Sequence, residues 1–318
     1  MIKAKCLLAF LQDKRNKCER MKKKLIGALK YFLRFLPDKC YIRLLYWRRM
    51  KRFVDLKNPK TFSEKLQWLK LYDRNPEYTK MVDKYEVKNY IASIIGDEYV
   101  IPTLGVWTRF DDIDFEKLPN RFVLKCTHNS GGVIICADKT NLDLVAAKKE
   151  IEKHLRKNYY VRGREWPYKN VKPRIIAEKY IGPSGLINGN FPLEDYKFMC
   201  FHGKVKCSFV CSDRSNDDEL KVTFFDREWK KMPFERKYPA SQEEIPKPLN
   251  YKKMILLSEK IAQNLTFARV DFYEFNGKVY FGEITLYPGS GLEKFSPFEW
   301  DYKFGSWLDI SAVKQTRK

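Results

Sequence analysis

Long apolar runs are missing from this sequence. Nowhere do residues approach the 18 or so consecutive apolar positions a bilayer-spanning helix needs, so no transmembrane helix is expected. The first residues also lack an apolar core followed by a small-residue cleavage site, so a secretory signal is not expected. None of the eight cysteines forms a CxxC pair, and Cys207 and Cys211 have no histidine close by, which speaks against a zinc or dithiol centre. Reduced thiols of a cytoplasmic protein are the expectation. There is no Walker loop, no GxGxxG, no internal repeat and no recognisable nucleic-acid module, so nucleic acid is not an expected partner.

Acidic residues are scarce only at the start. Residues 1–60 hold nineteen Lys/Arg against four Asp/Glu, so fifteen of the net +22 charges sit there. Within it, Leu25, Leu29, Phe32, Leu33 and Leu36 recur at helical spacing before Pro37, and Ile42, Leu44, Leu45, Tyr46 and Trp47 follow. This basic amphipathic segment fits two readings. It could lie on an anionic bilayer through residues 1–52, or pack on its own domain with a solvated basic face. The other residues, 44% hydrophobic overall and 15% aromatic, suffice for two or three packed subdomains.

Thr61 or Ser63 is placed to cap a helix through Leu71, and Asp83–Ile95 reads as a second helix stopped by Gly96. From 121 the pattern turns to strands: 121–126, 133–137, 174–181, a hairpin 196–211 about His202-Gly203, and a hairpin 267–285 about Asn276-Gly277. Helices are expected over 143–157 and 251–264, a loop over 212–220 and a frayed tail over 311–318.

The last hairpin carries one carboxylate on each arm, Asp271 and Glu283. A two-residue Asn-Gly turn pairs Asp271 with Gly282 and sends Glu283 to the opposite side. A three-residue loop, or a bulge at Gly277, instead puts Arg269, Asp271, Tyr273, Phe281, Glu283 and Thr285 on one face, and this second register is expected. Two hard carboxylates on one face call for a cation, and Mg²⁺ with phosphate oxygens suits them; solvated or lysine-paired carboxylates are the alternative.

Lys125 stands at a strand end before Cys126-Thr127-His128-Asn129-Ser130-Gly131-Gly132. A lysine there can meet phosphate oxygens while the glycines let backbone N–H groups close over them; an ordinary hairpin turn is the alternative. The strand through Glu178-Lys179-Tyr180-Ile181 ends at Gly182-Pro183, where a hinge could offer backbone groups to an adenine edge; by spacing alone it equally fits an edge strand. Asp195 and Lys197 share a strand face, and Lys197 could add a phosphate contact.

Taken together and in this order, these pieces resemble the ATP-grasp superfamily, and more narrowly its TupA-like family, named for teichuronopeptide synthesis. The carrying motifs are Asn58-Pro59-Lys60-Thr61-Phe62-Ser63-Glu64-Lys65, Asp83-Lys84, Lys125–Gly132, Asp195-Tyr196-Lys197-Phe198, Gly282–Thr285 and Pro288-Gly289-Ser290-Gly291, over roughly 55–305. The resemblance implies an α+β fold whose two α+β subdomains grip ATP, with the basic helical segment at 1–55, a helical/β subdomain at 56–120, a nucleotide-binding subdomain at 121–185 and a metal-hairpin subdomain at 186–310. It implies ATP contacts from Lys84, Lys125, Ser130, Gly131, Gly132, Glu178, Lys179, Tyr180, Ile181, Asp195 and Lys197. Asp271, Glu283 and Thr285 would hold Mg²⁺, with Thr285 standing where many relatives have Asn. Arg269, Lys197 and His128 are the catalytic candidates, and Gly289-Ser290-Gly291 a candidate wall of the acceptor site. The implied activity is carboxylate–amine ligation through an acyl phosphate, joining a carboxylate-bearing sugar or lipid-linked glycan to an amine such as an amino acid. The implied setting is surface-polysaccharide synthesis in the cytoplasm, at the inner face of the membrane. A phosphotransferase on the same fold, a glycosyltransferase and a non-catalytic membrane-peripheral protein are the competing readings.

Overall fold

The computed structural model describes residues 33–182, 193, 195–212 and 220–313. The helical repeat up to Phe32, Pro183 at the end of the hinge, most of the polar loop after 212 and residues 314–318 lie outside the described residues. Helices α1 (Asp38–Met50), α2 (Phe62–Tyr72), α3 (Glu77–Val82) and α4 (Glu86–Ile95) lead into a four-stranded antiparallel sheet. That sheet joins β1 (Thr103–Trp107), β2 (Phe122–Cys126), β3 (Val133–Cys136) and β4 (Ile175–Lys179) in the order β1-β4-β2-β3. Helix α5 (Leu144–Leu155) covers one face through Ala147 and Ile151, where Phe122, Leu124 and Ile175 are buried. A short helix, α6 (Tyr160–Gly163), follows. The edge-strand alternative for Ile175–Lys179 is excluded, since β4 is flanked by β1 and β2.

The second antiparallel sheet has five strands in the order β10-β9-β5-β6-β7. They are β5 (Asp195–Phe201), β6 (Lys204–Ser212), β7 (Lys221–Phe225), β9 (Phe267–Phe275) and β10 (Lys278–Thr285), with a small β8 (Glu235–Arg236) to β11 (Phe295–Ser296) pair beside it. Helices α7 (Tyr251–Ala262) and α8 (Glu299–Trp307) complete the unit. Much of the aromatic content is spent here: Phe62 of α2 meets the rings of Phe267, Phe304 and Phe201 at 5.1, 5.7 and 5.8 Å.

The Asn58–Lys65 motif serves this junction. Thr61 caps α2 in a capping box with Glu64. The Ser63 amide donates to Asp301 at 2.8 Å, and Lys65 caps the end of α8 by donating to the carbonyls of Gly305 and Leu308 at 2.9 and 2.7 Å. Helix α1 packs on the body through Ile42, Tyr46 and Met50, so this part of the basic segment follows the own-domain reading. Its outward side still presents Leu44 and Trp47 among Arg43, Arg48 and Lys51. The helix expected over 83–95 starts later, at Glu86, because Asp83 is extended and its carboxylate accepts from the Tyr85 amide at 2.9 Å; a separate helix, α3, ends just before it at Val82. Strand β7 and helix α8 were not expected from the sequence.

The β9–β10 register differs from expectation. Asn276 and Gly277 both have positive φ, 51° and 70°, and make a two-residue turn that pairs Phe275 with Lys278 and Phe272 with Phe281. The bulge comes later, at Gly282, and past it Glu283 lies opposite Asp271 and Thr285 opposite Arg269. The carboxylates therefore do share a face, but through a mid-strand bulge. Phe281 turns to the core against Phe272, and Tyr280 stands opposite Tyr273 instead.

A Cβ at 282 would come 3.1 Å from the Asp271 carbonyl oxygen, whereas one at 277 would meet nothing within 4 Å. Gly282→Val is expected to lower unfolding free energy by about 1–3 kcal/mol through overpacking. Gly277→Ala should cost about 1 kcal/mol through its left-handed backbone alone. Urea unfolding measures both, and equal small losses would contradict the bulge as the strained point.

Candidate active site between the two sheets

The bulge aligns a row of charge across three strands. Lys197 on β5 pairs with Asp271 on β9, which pairs with Glu283 on β10. Lys197 Nζ lies 2.5 Å from both Asp195 Oδ2 and Asp271 Oδ2. From the next row, Arg269 reaches back. Its Nε donates to Asp271 Oδ1 at 2.7 Å, and its Nη2 donates to Asp271 Oδ2 at 2.6 Å and to Glu283 Oε1 at 2.5 Å. Three carboxylates thus share two cations, leaving one net negative charge. Asp271 is wholly buried, and burial pushes its carboxyl up to about 6 against the pull of Arg269 and Lys197, with Asp195 and Glu283 adding to the rise. Glu283 goes the other way. Burial opposes its ionisation, but Arg269, Lys84 and Lys197 outweigh it and hold the group down at about 2.

Opposite stands a positive wall. Val123 of β2 pairs with Glu178 of β4 and Lys125 with Ile176, so Lys125 and Glu178 are diagonal neighbours on one face. Lys125 Nζ lies 2.6 Å from Glu178 Oε2, and Lys88 Nζ of α4 lies 2.5 Å from Oε1. Burial opposes the charge on Glu178, yet the two lysines take its carboxyl down to about 2. Lys84 donates to the Asn129 carbonyl at 2.6 Å, and burial lowers its ammonium while Glu283 supports it.

The loop between β2 and β3 is pinned at its base. The Thr127 amide donates to the Arg174 carbonyl at 3.0 Å, and Asn129 Nδ2 donates to the His154 carbonyl at 2.9 Å. The tip, Ser130 and Gly131, is exposed. Gly131 has φ of +108°, and a Cβ on Gly132 would come 2.7 Å from the His154 Cβ, so both positions need glycine.

These walls enclose a cavity of about 410 Å³. Of the expected site residues, Lys84, Lys125, Ser130, Gly131, Glu178, Asp195 and Glu283 line it. Asp271, Arg269 and Lys197 lie behind Glu283 and Asp195, with Lys197 and Arg269 engaged by carboxylates. Thr285 donates to Glu283 Oε1 at 3.2 Å and steadies that group. His128 is buried under the loop with Nε2 3.1 Å from the Lys157 carbonyl, which makes it a support of the loop rather than a wall of the cavity. The Lys179 side chain is exposed and its amide is already given to the Pro102 carbonyl at 2.9 Å. Tyr180 and Ile181 are likewise outside the cavity wall.

The sequence reading missed the apolar walls, Val87, Val100, Ile101, Val133, Tyr273 and Phe281, and one charge, Lys88. Lys88 falls four residues after Lys84, a spacing that could have placed both on one side of the helix entry.

Among the described residues no group of three or more His, Cys, Asp or Glu side chains is arranged to hold a metal alone. Mg²⁺ beside nucleotides is ordinarily bound by one or two carboxylates with phosphate oxygens completing the shell, and the oxygen chemistry of Glu283 would suit it. Glu283 is the half-exposed carboxylate at the cavity wall.

A family model described as TupA-like ATPgrasp matches residues 64–309. No curated protein matches the sequence. Among solved structures, D-alanine–D-alanine ligase from Bacillus anthracis complexed with ATP is similar at 18% identity, covering 72% of this chain and 64% of that one, with a TM-score of 0.41. The Helicobacter pylori D-alanine–D-alanine ligase is 15% identical, with 78% and 69% covered and a TM-score of 0.42. The ADP complex of N5-carboxyaminoimidazole ribonucleotide synthetase is 16% identical, with 70% and 50% covered and a TM-score of 0.40. The chain therefore spans between half and about two thirds of the length of these structures. The family match runs from within α2 to just past α8 and takes in both charged walls of the cavity: the chain belongs to the TupA-like ATP-grasp family.

Proposed function

We propose that the cavity binds ATP with its phosphates toward Lys84, Lys125 and the Gly131 loop tip, and uses it to join a carboxylate to an amine. The observation that carries this reading is the opposition of charge: lysines at 84, 88 and 125 on one wall, and Glu283 backed by Asp271 on the other. A triphosphate seeks the first wall, and its metal seeks the second. The apolar side chains of Val87, Ile101 and Val133 suit a purine ring.

Glu283, with Asp271 behind it, would hold Mg²⁺, which when bound offsets negative charge on the phosphoryl group in transfer. The residues of the chain do the remaining work. Lys125 and Lys84 supply fixed positive charge beside the phosphates. Arg269, held by both carboxylates, sets their orientation and has no free fork for a substrate carboxylate while it stays there. Ser130 and Gly131 cover the phosphate end and exclude water. A carboxylate oxygen attacks the γ-phosphorus, ADP leaves, the amine attacks the acyl carbon, and phosphate departs. The carboxylate class we infer is a uronic acid or other acidic sugar, free or lipid-linked, with an amino acid as the amine; this rests on the family's polysaccharide context.

The outward side of α1 also supports docking on an anionic membrane. Leu44 and Trp47 are exposed between arginines, and fifteen net positive charges fall in residues 1–60. No helix among the described residues is long and apolar enough to cross a membrane. Because Ile42, Tyr46 and Met50 are buried, removing all of residues 1–52 would damage the body. The sound variant removes 1–32 and replaces Trp47 with Ser. It should lose most sedimentation with phosphatidylserine-containing vesicles, and retained sedimentation would contradict docking.

Glu283→Gln should reduce turnover by about 100-fold or more with the thermal midpoint nearly unchanged, as expected for loss of a charge felt mainly in the transition state. Lys125→Ala should weaken ATP binding by about tenfold or more, as for loss of a charged phosphate contact; unaltered affinity would remove Lys125 from the site. A screen for ADP release with uronic acids and amino acids tests the reaction. Release requiring both partners supports ligation, release with an alcohol alone favours a kinase, and no release with ATP excludes both.

A further inference from the structure

Glu178 has two lysines where one would neutralise it. Lys88 takes Oε1 at 2.5 Å and Lys125 takes Oε2 at 2.6 Å. The two are not equivalent. Lys88 rises from α4 and also donates to the Ile101 carbonyl at 2.6 Å, so it is held twice. Lys125 stands at the end of β2 beside the glycine loop, and among the described residues its ammonium meets only Glu178. The Glu178 carboxylate is buried, and a buried carboxylate stripped of every cation is strongly unfavourable. If Lys125 were its one partner, any phosphate drawing that lysine away would strand the charge.

We propose that Lys88 is the resident counter-ion of Glu178, a positioning residue that lets Lys125 leave Glu178 for the phosphates when nucleotide enters. The proposal rests on the ATP reading of the cavity and deepens it. Glu178 is neutralised in both states, and binding exchanges one Lys125 ion pair for another. The charged groups facing Glu178 are Lys88 and Lys84 at the α4 entry, Lys125 on β2, and Asp195 and Glu283 on the opposite wall.

Without Lys88, freeing Lys125 requires Glu178 to take up a proton, so binding and protonation become linked. The test is titration calorimetry of the full chain with a non-hydrolysable ATP analogue and Mg²⁺, in two buffers of different ionisation enthalpy. Lys88→Met should weaken binding by about tenfold or more and add uptake of about one proton per nucleotide relative to wild type. Lys88→Arg should restore both, because it restores the charge. In a Glu178→Gln background, Lys88→Met should change affinity by less than about twofold, with no added proton uptake.

A merely structural lysine would weaken binding without proton uptake, and by the same factor in either background; that result overturns the proposal, as does unchanged affinity in Lys88→Met. If Lys88→Met fails to fold, Lys88→Gln is measured in its place against the same outcomes. Wild-type protein that binds no nucleotide overturns the site reading and this inference together, whereas wild-type binding with an indifferent Lys88 variant overturns the inference alone.

Discussion

The guanidinium of Arg269 lies between Asp271 and Glu283, and the arrangement of the cavity follows from that bridge. Arg269 can reach both carboxylates because Glu283 stands directly opposite Asp271, and it does so because Gly282 is bulged out of the ladder. Were Gly282 in the ladder instead, it would face Asp271, and Glu283 would pair with Val270 and turn to the aromatic core beside Phe272. The bridge also fixes which carboxylate meets the cavity. Asp271 is sealed behind Arg269 and Lys197, while Glu283 remains half-exposed. An isolated buried ionic cluster is weak support for stability. Here its value lies in geometry, a row of charge held at one height across three strands.

The two sheets bring unlike charge to one space. The four-stranded sheet and α4 offer Lys125 and Lys88 against Glu178, with Lys84 just before α4, and the five-stranded sheet offers three carboxylates against Lys197 and Arg269. Neither wall is neutral, and each is unbalanced in the sense that a metal–triphosphate would correct. The ATP-grasp family to which the chain belongs accounts for the layout. The local chemistry accounts for why these side chains tolerate burial: each ion has an opposite charge within ion-pair distance or a carbonyl to donate to.

Much of this was legible in the sequence because it is local. The alternation of Phe267–Phe275 and Lys278–Thr285 about Asn276-Gly277 fixed a hairpin, and both strands run over those residues. Thr61 was one of two candidate caps in the sequence, and it caps α2 together with Glu64. The bulge was misplaced because both glycines, 277 and 282, allow one; the choice between them depends on Tyr273 and the Asp271 carbonyl, contacts made across strands. Strand β7 was missed because its partner is β6, with a polar segment between them. His128, Lys197 and Arg269 looked like substrate contacts on residue type alone. Strand alternation already put Asp195 beside Lys197 and Asp271 beside Arg269, but the bonds of His128 to the Lys157 carbonyl, of Lys197 to Asp271 and of Arg269 to Glu283 cross between elements, and spacing does not reveal those. Lys88 was overlooked for the same reason, since its partner lies ninety residues away in the chain.

On the proposed function, the carboxylates about Arg269 are half of a metal site that only a nucleotide completes. Mn²⁺ binding followed by electron paramagnetic resonance tests this most directly. The free-ion signal should barely change when protein alone is added, and should fall sharply when a non-hydrolysable ATP analogue is present with the protein, beyond its loss with the analogue alone. Strong Mn²⁺ binding without nucleotide, or no enhancement by the protein when the analogue is there, would contradict it.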